Sequence, residues 1–385
     1  MAMVRFGDVA ERVNTKEDRF NTDLVYYVGG DHIESNALTV SGRGKIKEAD
    51  LGPMFYFGFK PGDILFVTRN PHLRKCARVD FSGICSEKTL VIGTKDENVL
   101  SQKYLAAVMQ SDDFWEFMEE NKSGSVNYFV NWTTLADYEF VLPSLARQRE
   151  VADLIWAAND LKESYKKAIT ATDEMLKAKF REMFGDTACN TKNWPMPSLG
   201  ESLISIDSGK SFVCQAVPRI GDFPAILKLS AVTYGHYQPK ENKAVNSEAE
   251  FYPENEVHDG DLLFTRKNTE ELVGICAYVE RTPARLMMPD TIFRLNTKCC
   301  YERRFLGIML NHPDQRRRLQ SIAGGTNSSM VNISKERLAK LEMILPPLSL
   351  QREFVAIAEK AESAKAALKK SIAAIDHIMK GLINE

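Results

Sequence analysis

Two short segments combine arginine, lysine and asparagine directly after an apolar run that is typical of a strand. Thr68-Arg69-Asn70 follows Gly62-Asp63-Ile64-Leu65-Phe66, and Thr265-Arg266-Lys267-Asn268 follows Gly260-Asp261-Leu262-Leu263-Phe264. Guanidinium and ammonium groups bind phosphate oxygens, and an asparagine amide can exchange two hydrogen bonds with a base edge. Loops at strand ends commonly carry binding residues, so both segments are candidates for nucleic-acid contacts. A solvated loop is the alternative.

Three further segments add basic or small polar residues to these candidates. Ser41-Gly42-Arg43-Gly44-Lys45-Ile46-Lys47 is basic and glycine-rich, so its backbone could approach a phosphate closely, with a solvated turn as the alternative. Lys122 to Asn127 and Gly324 to Ser329 supply small polar donors on flexible backbone. A plain loop or a hinge is an equally good interpretation of these last two segments.

Lys210 stands between Gly209 and Ser211, as in a phosphate-binding loop, but Ile204 occupies the position of that motif's first glycine. Nucleotide binding there is therefore excluded, and Lys210 is kept only as a candidate for DNA contact. The predicted DNA-contacting residues are Arg43, Lys45, Lys47, Arg69, Asn70, Arg74, Lys75, Lys122, Ser123, Asn127, Lys210, Arg266, Lys267, Asn268, Thr326 and Asn327.

The sequence lacks several residue patterns that would indicate catalysis. The sequence has no Asn/Asp-Pro-Pro-Tyr-type loop for methylation of an amino group and no G-x-S-x-G elbow for a serine hydrolase. Its six histidines are scattered without an H-x-x-x-H pair, and its seven cysteines include no C-x-x-C spacing. Asp259 and Asp261 beside His258 are better explained by a turn than by a metal site. We expect no catalytic residue, no metal and no cofactor in this chain.

Length and composition limit the class of protein. A chain of 385 residues with 44% hydrophobic residues fits two to three globular domains. The net charge of -2 gives no overall attraction to nucleic acid, so any such binding must come from local patches. No run of apolar residues is long enough to span a membrane. We expect a cytoplasmic protein with no membrane partner.

An internal repeat organises the chain. Leu142-Pro143-Ser144-Leu145 leads to Gln148-Arg149-Glu150, and about 200 residues later Leu345-Pro346-Pro347-Leu348 leads to Gln351-Arg352-Glu353. The Gly-Asp strands and a Gly-Ile-Cys triplet recur in the same order, which predicts two similar domains. The fold class is therefore α+β, with mixed α/β globules over 1–143 and 187–345. Within them, helices are predicted over Gln102 to Glu120 and Phe305 to Leu319.

The segments 144–186 and 346–385 are nearly free of glycine and proline until their ends and predict two long helices. Apolar residues repeat in them at steps of three and four, which is typical of an antiparallel coiled coil with pseudo-twofold symmetry. Two helices that each lie on their own globule are the alternative. The predicted seam consists of Leu154, Ala158, Leu161, Tyr165, Ala168, Met175, Phe354, Ile357, Ala361, Ala364, Leu368, Ile375 and Ile378.

The repeated Leu-Pro-(Pro)-Leu and Gln-Arg-Glu signature resembles that of the specificity subunits of type I restriction-modification systems, and Trp194 to Glu201 resembles the usual start of their second recognition domain. Ser144 and Arg147 depart slightly from the signature in its first copy. The resemblance implies two target-recognition domains, each recognising one half of a bipartite, asymmetric site in double-stranded DNA.

The same resemblance implies that the helices bind two methyltransferase subunits and that a motor endonuclease subunit can be added. S-adenosylmethionine and ATP are then expected in the partner subunits. Neighbouring apolar positions such as Ile155, Val355 and Met379 would be covered by the methyltransferase. The alternative is an adaptor that assembles a protein complex through its paired helices without binding DNA.

Overall fold

The computed structural model describes residues 2–327 and 330–384, and the chain divides into two compact units. The first contains Met1–Ala168 with Ala367–Glu385, and the second contains Ile169–Ala366. The division crosses both long helices, so each unit consists of one mixed α/β globule and one end of each helix. The predicted α+β class, with two similar globules and two long helices, is confirmed.

The first globule is built from three sheets and four short helices. Its strands are β1 (Ala2–Arg5), β2 (Ala10–Val13), β3 (Tyr26–Val28), β4 (Gly44–Lys45), β5 (Phe55–Phe59), β6 (Ile64–Val67), β7 (Cys76–Arg78), β8 (Gly83–Ser86), β9 (Thr89–Thr94) and β10 (Glu139–Leu142). Its helices are α1 (Phe6–Val9), α2 (Gln102–Val108), α3 (Asp112–Glu120) and α4 (Trp132–Asp137). The sheets have the orders β2-β9-β6-β7, β4-β3-β8-β5 and β1-β10.

Two antiparallel strand pairs bury the Gly-Asp strand of the first globule at the centre of its sheet. All four residues of β6 are buried, and β9 and β7 pair with it on either side. In the second sheet β3 and β8 run parallel, which requires the long connection between them. The core under the first sheet contains Phe66, Phe114 and Trp115.

A long helix leaves this globule and enters the second one. The helix α5 (Leu145–Phe184) is 40 residues long. The second globule contains α6 (Leu199–Ser202), β11 (Leu203–Ser208), β12 (Ala225–Leu227), β13 (Asn242–Ala244), β14 (Leu262–Thr265), β15 (Lys267–Asn268), β16 (Cys276–Tyr278), β17 (Leu286–Met287), β18 (Ile292–Thr297), α7 (Arg303–Asn311), α8 (Pro313–Ser321), β19 (Gly324–Asn327), β20 (Met330–Asn332) and α9 (Lys335–Ala339). The final helix is α10 (Leu348–Ile383).

The second globule repeats the sheets of the first. Its four-stranded sheet has the order β11-β18-β14-β16, which matches β2-β9-β6-β7, and all of its pairs are antiparallel. The order β13-β12-β17, with β12 and β17 parallel, matches β4-β3-β8. A third sheet has the order β15-β20-β19.

Both helices predicted inside the globules are interrupted. The predicted helix from Gln102 to Glu120 is split into α2 and α3, because Ser111 begins a new helix and its hydroxyl accepts from the backbone N–H of Phe114 at 3.2 Å. The predicted helix from Phe305 to Leu319 is split at His312-Pro313 into α7 and α8. Proline lacks an N–H and favours the first turn of a helix, so it ends one helix and begins the next.

The glutamine of the repeated Gln-Arg-Glu triplet has a structural role. Gln148 is completely buried near the start of α5, where it accepts from the N–H of Ser101 and donates to the carbonyls of Val99 and Pro143. The first turn of the helix is thereby fixed to the globule through three hydrogen bonds.

Gln351 holds the start of α10 in the same way. It is also completely buried, accepts from the N–H of Glu302 and donates to the carbonyls of Cys300 and Pro346. The arginine and glutamate of each triplet are exposed. The signature therefore identifies an attachment between helix and globule.

In each unit the two helix ends pack antiparallel against each other and against the globule. In the first unit Ile155 of α5 and Ile375 and Met379 of α10 belong to the core of the globule. In the second unit Phe180 of α5 and Phe354 of α10 do the same, with ring centroids 5.3 Å apart. Pairing of the helices and packing on a globule therefore occur together.

Equivalent ion pairs occur between the helices in both units. In the first unit Lys162 of α5 contacts Asp376 of α10 at 2.5 Å. In the second unit Lys365 of α10 contacts Asp173 of α5, also at 2.5 Å. The lysine comes from one helix in one unit and from the other helix in the other, so the same kind of contact occurs in each unit with the roles of the helices exchanged.

Six of the thirteen predicted seam positions are displaced by one residue. Leu154, Leu161, Ala168 and Met175 on α5 are exposed, as are Ala364 and Ile378 on α10, so assigning these six to the seam was wrong. The side chains that turn inward are those one residue later, which include Ile155, Lys162, Lys365 and Met379.

The remaining predicted seam residues are at least partly buried. Phe354, Ala361 and Ile375 are buried, while Ala158, Tyr165, Ile357 and Leu368 are half-buried. Ile155, Val355 and Met379, which were expected to lie beside the seam and await a partner, are instead buried within their own units.

Candidate nucleic-acid interface

In the first unit the structure brings together two segments that the sequence places more than 50 residues apart. Arg69 and Asn70 follow β6, and the hairpin 122–130 lies alongside them. Arg69 donates from Nη1 to the carbonyl of Asn127 at 3.3 Å, and its guanidinium lies 5.2 Å from the ring centre of Phe129. The N–H of Asn70 donates to the carbonyl of Tyr128 at 2.9 Å.

The hairpin itself is held by two backbone hydrogen bonds and a glycine. Ser123 and Phe129 exchange N–H to carbonyl bonds of 2.8 and 3.0 Å. Gly124 has a φ of 98°, a conformation that strongly favours glycine, and a Cβ there would stand 2.7 Å from the carbonyl oxygen of Asn127. The tip projects outward, with Ser123 and Asn127 exposed.

The second unit repeats this arrangement with different side chains. Arg266 precedes β15, and β15 pairs with β20, which lies at the position of the first unit's hairpin. Arg266 donates from Nε to Oδ1 of Asn332 at 3.1 Å, and its guanidinium lies 5.0 Å from the ring centre of Phe293. Lys335, which the sequence analysis missed, lies 5.7 Å from the same ring. Two cations therefore share one aromatic ring.

Thr326 and Asn327 lie in β19, on the backbone that completes this sheet. Their side chains lie outside the described residues, as do Ser328 and Ser329 as a whole. What can be stated is that β19 pairs with β20 and brings this stretch of backbone into the same sheet as Lys267.

A lysine and a carboxyl group pair in the turn next to the loop that carries Arg69. Lys88 donates a hydrogen bond to Glu87 at 2.6 Å, and this contact, strengthened by the charges of Lys88 and Arg69, lowers the pKa of Glu87. Tyr56 donates to the same carboxylate. The hydroxyl of Thr68 bonds to the carbonyl of Lys88 at 2.8 Å, which fixes the turn after β8 to the loop that carries Arg69.

Several predicted contact residues have internal partners. Arg74 pairs with Asp112 at 2.7 Å, and Lys75 donates to the carbonyl of Gly30 at 2.5 Å. Asn268 is buried and donates to the hydroxyl of Thr233. Its assignment as a DNA contact was wrong, because its amide faces the interior of the unit.

Lys122 has partners inside the first globule but keeps part of its surface. It pairs with Glu119 at 2.6 Å and lies 4.7 Å from the ring centre of Tyr128. The side chain is therefore positioned at the base of the hairpin.

The basic loop of the first unit lies on its second sheet, at β4. Arg43 is exposed and its guanidinium lies over the rings of Tyr26 and Phe81, at 4.2 and 4.8 Å from their centres. Lys45 pairs with Glu48 at 2.7 Å, and Lys47 is exposed. These residues belong to the sheet β4-β3-β8-β5, whereas Arg69 follows a strand of the sheet β2-β9-β6-β7.

Lys210 of the second unit is exposed and lies over a pair of stacked rings. Phe212 and Tyr252 stack with centroids 4.9 Å apart, and the lysine ammonium lies 5.4 and 4.6 Å from their centres. An exposed cation beside half-buried aromatic rings suits contact with phosphates.

Groups that could catalyse a reaction or hold a metal are sparse in the part of the chain that the structure describes. No cluster of three His, Cys, Asp or Glu side chains capable of holding a metal occurs among residues 2–327 and 330–384. Burial raises the pKa of the thiols of Cys76 and Cys276, and raises that of Cys85 to about 12. These thiols stay protonated and are poor nucleophiles. None of the described helices has the length and apolar character needed to cross a bilayer.

Two curated proteins of Escherichia coli are similar in sequence. The chain is 31% identical to the type I restriction enzyme EcoEI specificity subunit over 168 residues, which are 43% of this chain and 28% of that protein. It is 22% identical to the EcoKI specificity subunit of strain K12 over 284 residues, which are 68% of this chain and 61% of that protein. The chain thus spans less than two thirds of either relative. No protein-family model matches the chain.

Solved structures share the fold over nearly the whole chain. The S subunit of the type I restriction-modification system of M. genitalium aligns with a TM-score of 0.62 at 13% identity, covering 99% of this chain and 94% of that one. A chain solved in a study of complex assembly and conformational transition of the type I R-M system aligns with a TM-score of 0.57 at 19% identity, covering 99% and 96%.

Proposed function

We propose, on the premise that this chain is a specificity subunit of a type I restriction-modification system, that it recognises DNA for a complex whose other subunits methylate and cleave. Each globule would recognise one half of a bipartite, asymmetric site in double-stranded DNA. The chain itself would be non-catalytic, and it would act in the cytoplasm, where the DNA lies.

One observation carries this proposal: in both units an arginine that follows the Gly-Asp strand is braced by the adjoining hairpin. Arg69 is braced by Phe129, and Arg266, which in backbone pairing occupies the position of Thr68, is braced by Asn332. A guanidinium with a fixed orientation can recognise guanine or phosphate by paired hydrogen bonds. Because the bracing residues differ, the two globules are expected to recognise different sequences.

The partners follow from the long helices. Leu154 and Leu161 of α5 and Ile378 of α10 are exposed in the first unit, and Met175 of α5 is exposed in the second. Leu154, Leu161 and Met175 are separated by multiples of seven residues, a spacing that places them on one side of a helix. We assign this face to two methyltransferase subunits, to which a motor endonuclease subunit would be added. S-adenosylmethionine and ATP would be bound by those partners.

The test replaces the candidate DNA-contacting arginine in one unit at a time. Arg266→Gln with Lys267→Gln should relax methylation at one half of the recognised site, and Arg69→Gln should relax the other half. Each substitution should lower the preference for the correct base by about tenfold, the effect of one base contact. Mapping of genomic methylation in the host reports both halves in one experiment.

Arg281→Gln is the matched control, because it removes an exposed arginine outside these hairpins and should change neither half. If Arg69→Gln and Arg266→Gln relaxed the same half-site, independent recognition by the two globules would be wrong. If methylation were lost because the complex failed to assemble, and the native chain itself showed no binding to DNA, the adaptor alternative would be favoured.

A further inference from the structure

Two apolar side chains project into solvent from equivalent loops of the two units. Phe20 lies in the loop that joins β2 to β3, and Ile220 lies in the loop that joins β11 to β12. Phe20 is 82% exposed and Ile220 is 90% exposed. Such exposure is costly for residues of this size, because their apolar area remains in water.

Both loops place an arginine directly before the exposed residue. Arg19 is half-buried and its guanidinium lies 4.2 Å from the ring centre of Phe20. Arg219 is also half-buried and donates from Nη1 to the carbonyl of Ala284 at 2.6 Å. In each loop the arginine lies against the protein while the apolar residue points away.

Tight turns present the two side chains. The N–H groups of Phe20 and Asn21 both donate to Asp18, to its side chain at 3.0 Å and to its carbonyl at 2.9 Å. After Ile220 comes Gly221 with a φ of 56°, and the N–H of Phe223 donates back to the carbonyl of Ile220. These turns hold each apolar side chain outward before any ligand binds.

In the first unit a chain of hydrogen bonds links this loop to the segment that carries Arg69. The N–H of Glu17 donates to the carbonyl of Tyr56 at 2.8 Å, and the hydroxyl of Tyr56 bonds to Glu87. The residue after Glu87, Lys88, accepts through its carbonyl from the N–H and the hydroxyl of Thr68, which directly precedes Arg69. The loop and the Arg69 hairpin therefore lie on a continuous surface.

The second unit has the same continuity through a different set of contacts. The hydroxyl of Ser211 bonds to Asp290, and the next residue, Thr291, accepts from the N–H of Arg266 through its carbonyl at 3.0 Å. The loop that carries Ile220 thus begins beside Arg266. In both units an exposed apolar residue therefore lies in a loop that is linked to the segment after the Gly-Asp strand.

We infer that Phe20 and Ile220 are base-contacting residues that press an apolar side chain against the base pairs of the bound duplex. The inference deepens the proposed function and rests on it. Proteins that distort DNA use such residues as wedges between base steps, and an apolar side chain can also contact the methyl group of thymine. The cationic side chains nearby would contact the phosphate backbone of the DNA, while the apolar side chain reaches the bases.

The surroundings favour DNA over a protein as the occupant. A protein partner normally covers a contiguous apolar patch, whereas Phe20 is followed by Asn21 and Thr22 and Ile220 by Gly221 and Asp222. In the loop of Ile220, Val213 and Val217 are exposed as well, with Gln215 and Arg219 among them. Apolar side chains that alternate with arginine and polar residues match a charged duplex with an apolar base stack better than they match an apolar protein surface.

The experiment compares Phe20→Ala and Ile220→Ala in the complex purified from its own host, with a duplex that carries the sequence found by methylation mapping. Each substitution should weaken binding about tenfold, because one apolar contact with bases is lost. Met3→Ala and Ile204→Ala are the matched controls, since these side chains are 63% and 70% exposed on strands β1 and β11. They should leave binding unchanged.

Two modified duplexes distinguish the kinds of base contact. If the side chain touches a thymine methyl, replacing thymine by deoxyuridine in that half-site should reproduce the loss and add nothing to the alanine variant. If it enters a base step, 2-aminopurine at that step should brighten on binding with the native chain and stay dark with Phe20→Ala. Binding that is unchanged in both alanine variants would overturn the inference.

Failure of the inference is separable from failure of the proposed function. If the native complex shows no sequence preference in methylation or binding, the proposed function fails first. If the native complex recognises its site and the alanine variants instead lose a protein subunit during purification, these residues contact protein, and the inference is wrong while the proposed function stands.

Discussion

Both units contain the same buried Gly-Asp turn, but the carboxylate of its aspartate has different partners in the two units. In both, a Gly-Asp pair enters the central strand and the aspartate is buried, as Asp63 in one unit and Asp261 in the other. In the second unit Arg294 of the adjoining strand contacts Asp261 at 3.0 Å. The first unit has buried Val91 at the matching position.

The consequence for the first unit is a carboxylate without a buried cation. Asp63 accepts from the N–H of Lys60 at 2.9 Å, and burial raises the pKa of its carboxyl. The charged form thus weakens folding of that unit above its ordinary pKa. The Gly-Asp signature therefore specifies a turn, and each globule completes its core around this turn independently.

The largest effect should come from removing the arginine of the second unit. Arg294 also donates to the carbonyls of Glu256 and Glu254, at 2.9 and 3.0 Å. Arg294→Met therefore leaves the carboxylate of Asp261 and these two carbonyls without this hydrogen-bond donor. Breaking a buried pair in this way costs about 3–5 kcal/mol. Hydrogen exchange of the β14 and β18 amides measures the loss in this unit.

Two further variants check the cause. Arg294→Met with Asp261→Asn should recover much of the stability, because no charge is then left alone. Arg281→Met, at an exposed arginine, should have little effect. If Arg294→Met lowered the free energy of unfolding by less than about 1 kcal/mol, the Arg294–Asp261 pair would be no stronger than a surface ion pair. The two units would then not differ in how the buried aspartate affects stability.

Substitutions at the points where the helices attach to the globules should, in contrast, destabilise both units equally. Gln148→Leu and Gln351→Leu each leave one N–H and two carbonyls without their buried partner. We expect each substitution to cost about 2–3 kcal/mol, measured by hydrogen exchange at the start of the affected helix.

Arg149→Leu and Arg352→Leu serve as controls for this pair, since both arginines are exposed in the same triplets. They should leave exchange at the helix starts nearly unchanged. A much larger loss in one glutamine variant than in the other would show that the two attachments differ despite their matching hydrogen bonds.

How far sequence predicts this molecule depends on the kind of feature. The repeat, the mixed α/β globules and both long helices could be predicted, because motif order and helical spacing are local properties. The register of the helix pair could not. Lys162 and Lys365 occupy inward positions, so a search for apolar residues chose Leu161 and Ala364 beside them. Recurrence of the lysine with Asp173 and Asp376 was the available signal.

The candidate interface was predicted in part. The sequence identified Arg69 and Arg266 because each follows a recurring strand, and the structure shows the hairpins that brace them. It also selected Asn268, whose amide faces the protein interior, since polarity alone does not reveal burial. It passed over Phe20 and Ile220, because an apolar residue in a loop becomes informative only when its exposure is known.

The smallest effect expected distinguishes the units by pH. Ser111 begins α3 in the first unit, and His312 begins α8 at the corresponding place in the second. His312 is buried and stacks on Phe180 with ring centroids 4.4 Å apart. Burial lowers the pKa of His312, and Arg181 and Lys177 act in the same direction, while Asp314 and Asp186 oppose it.

A lowered histidine pKa means that the folded second unit binds this proton less readily than the unfolded chain. Its contribution to stability is complete above about pH 6.5 and declines as the pH falls through that value. His312→Ser should therefore be less stable than the native chain at pH 7, because stacking is lost, and the difference should shrink towards pH 5.5. Hydrogen exchange of α8 at several pH values measures this slope. His377→Ser, at an exposed histidine, should keep the native slope. An equal slope in His312→Ser would assign the pH dependence to other groups.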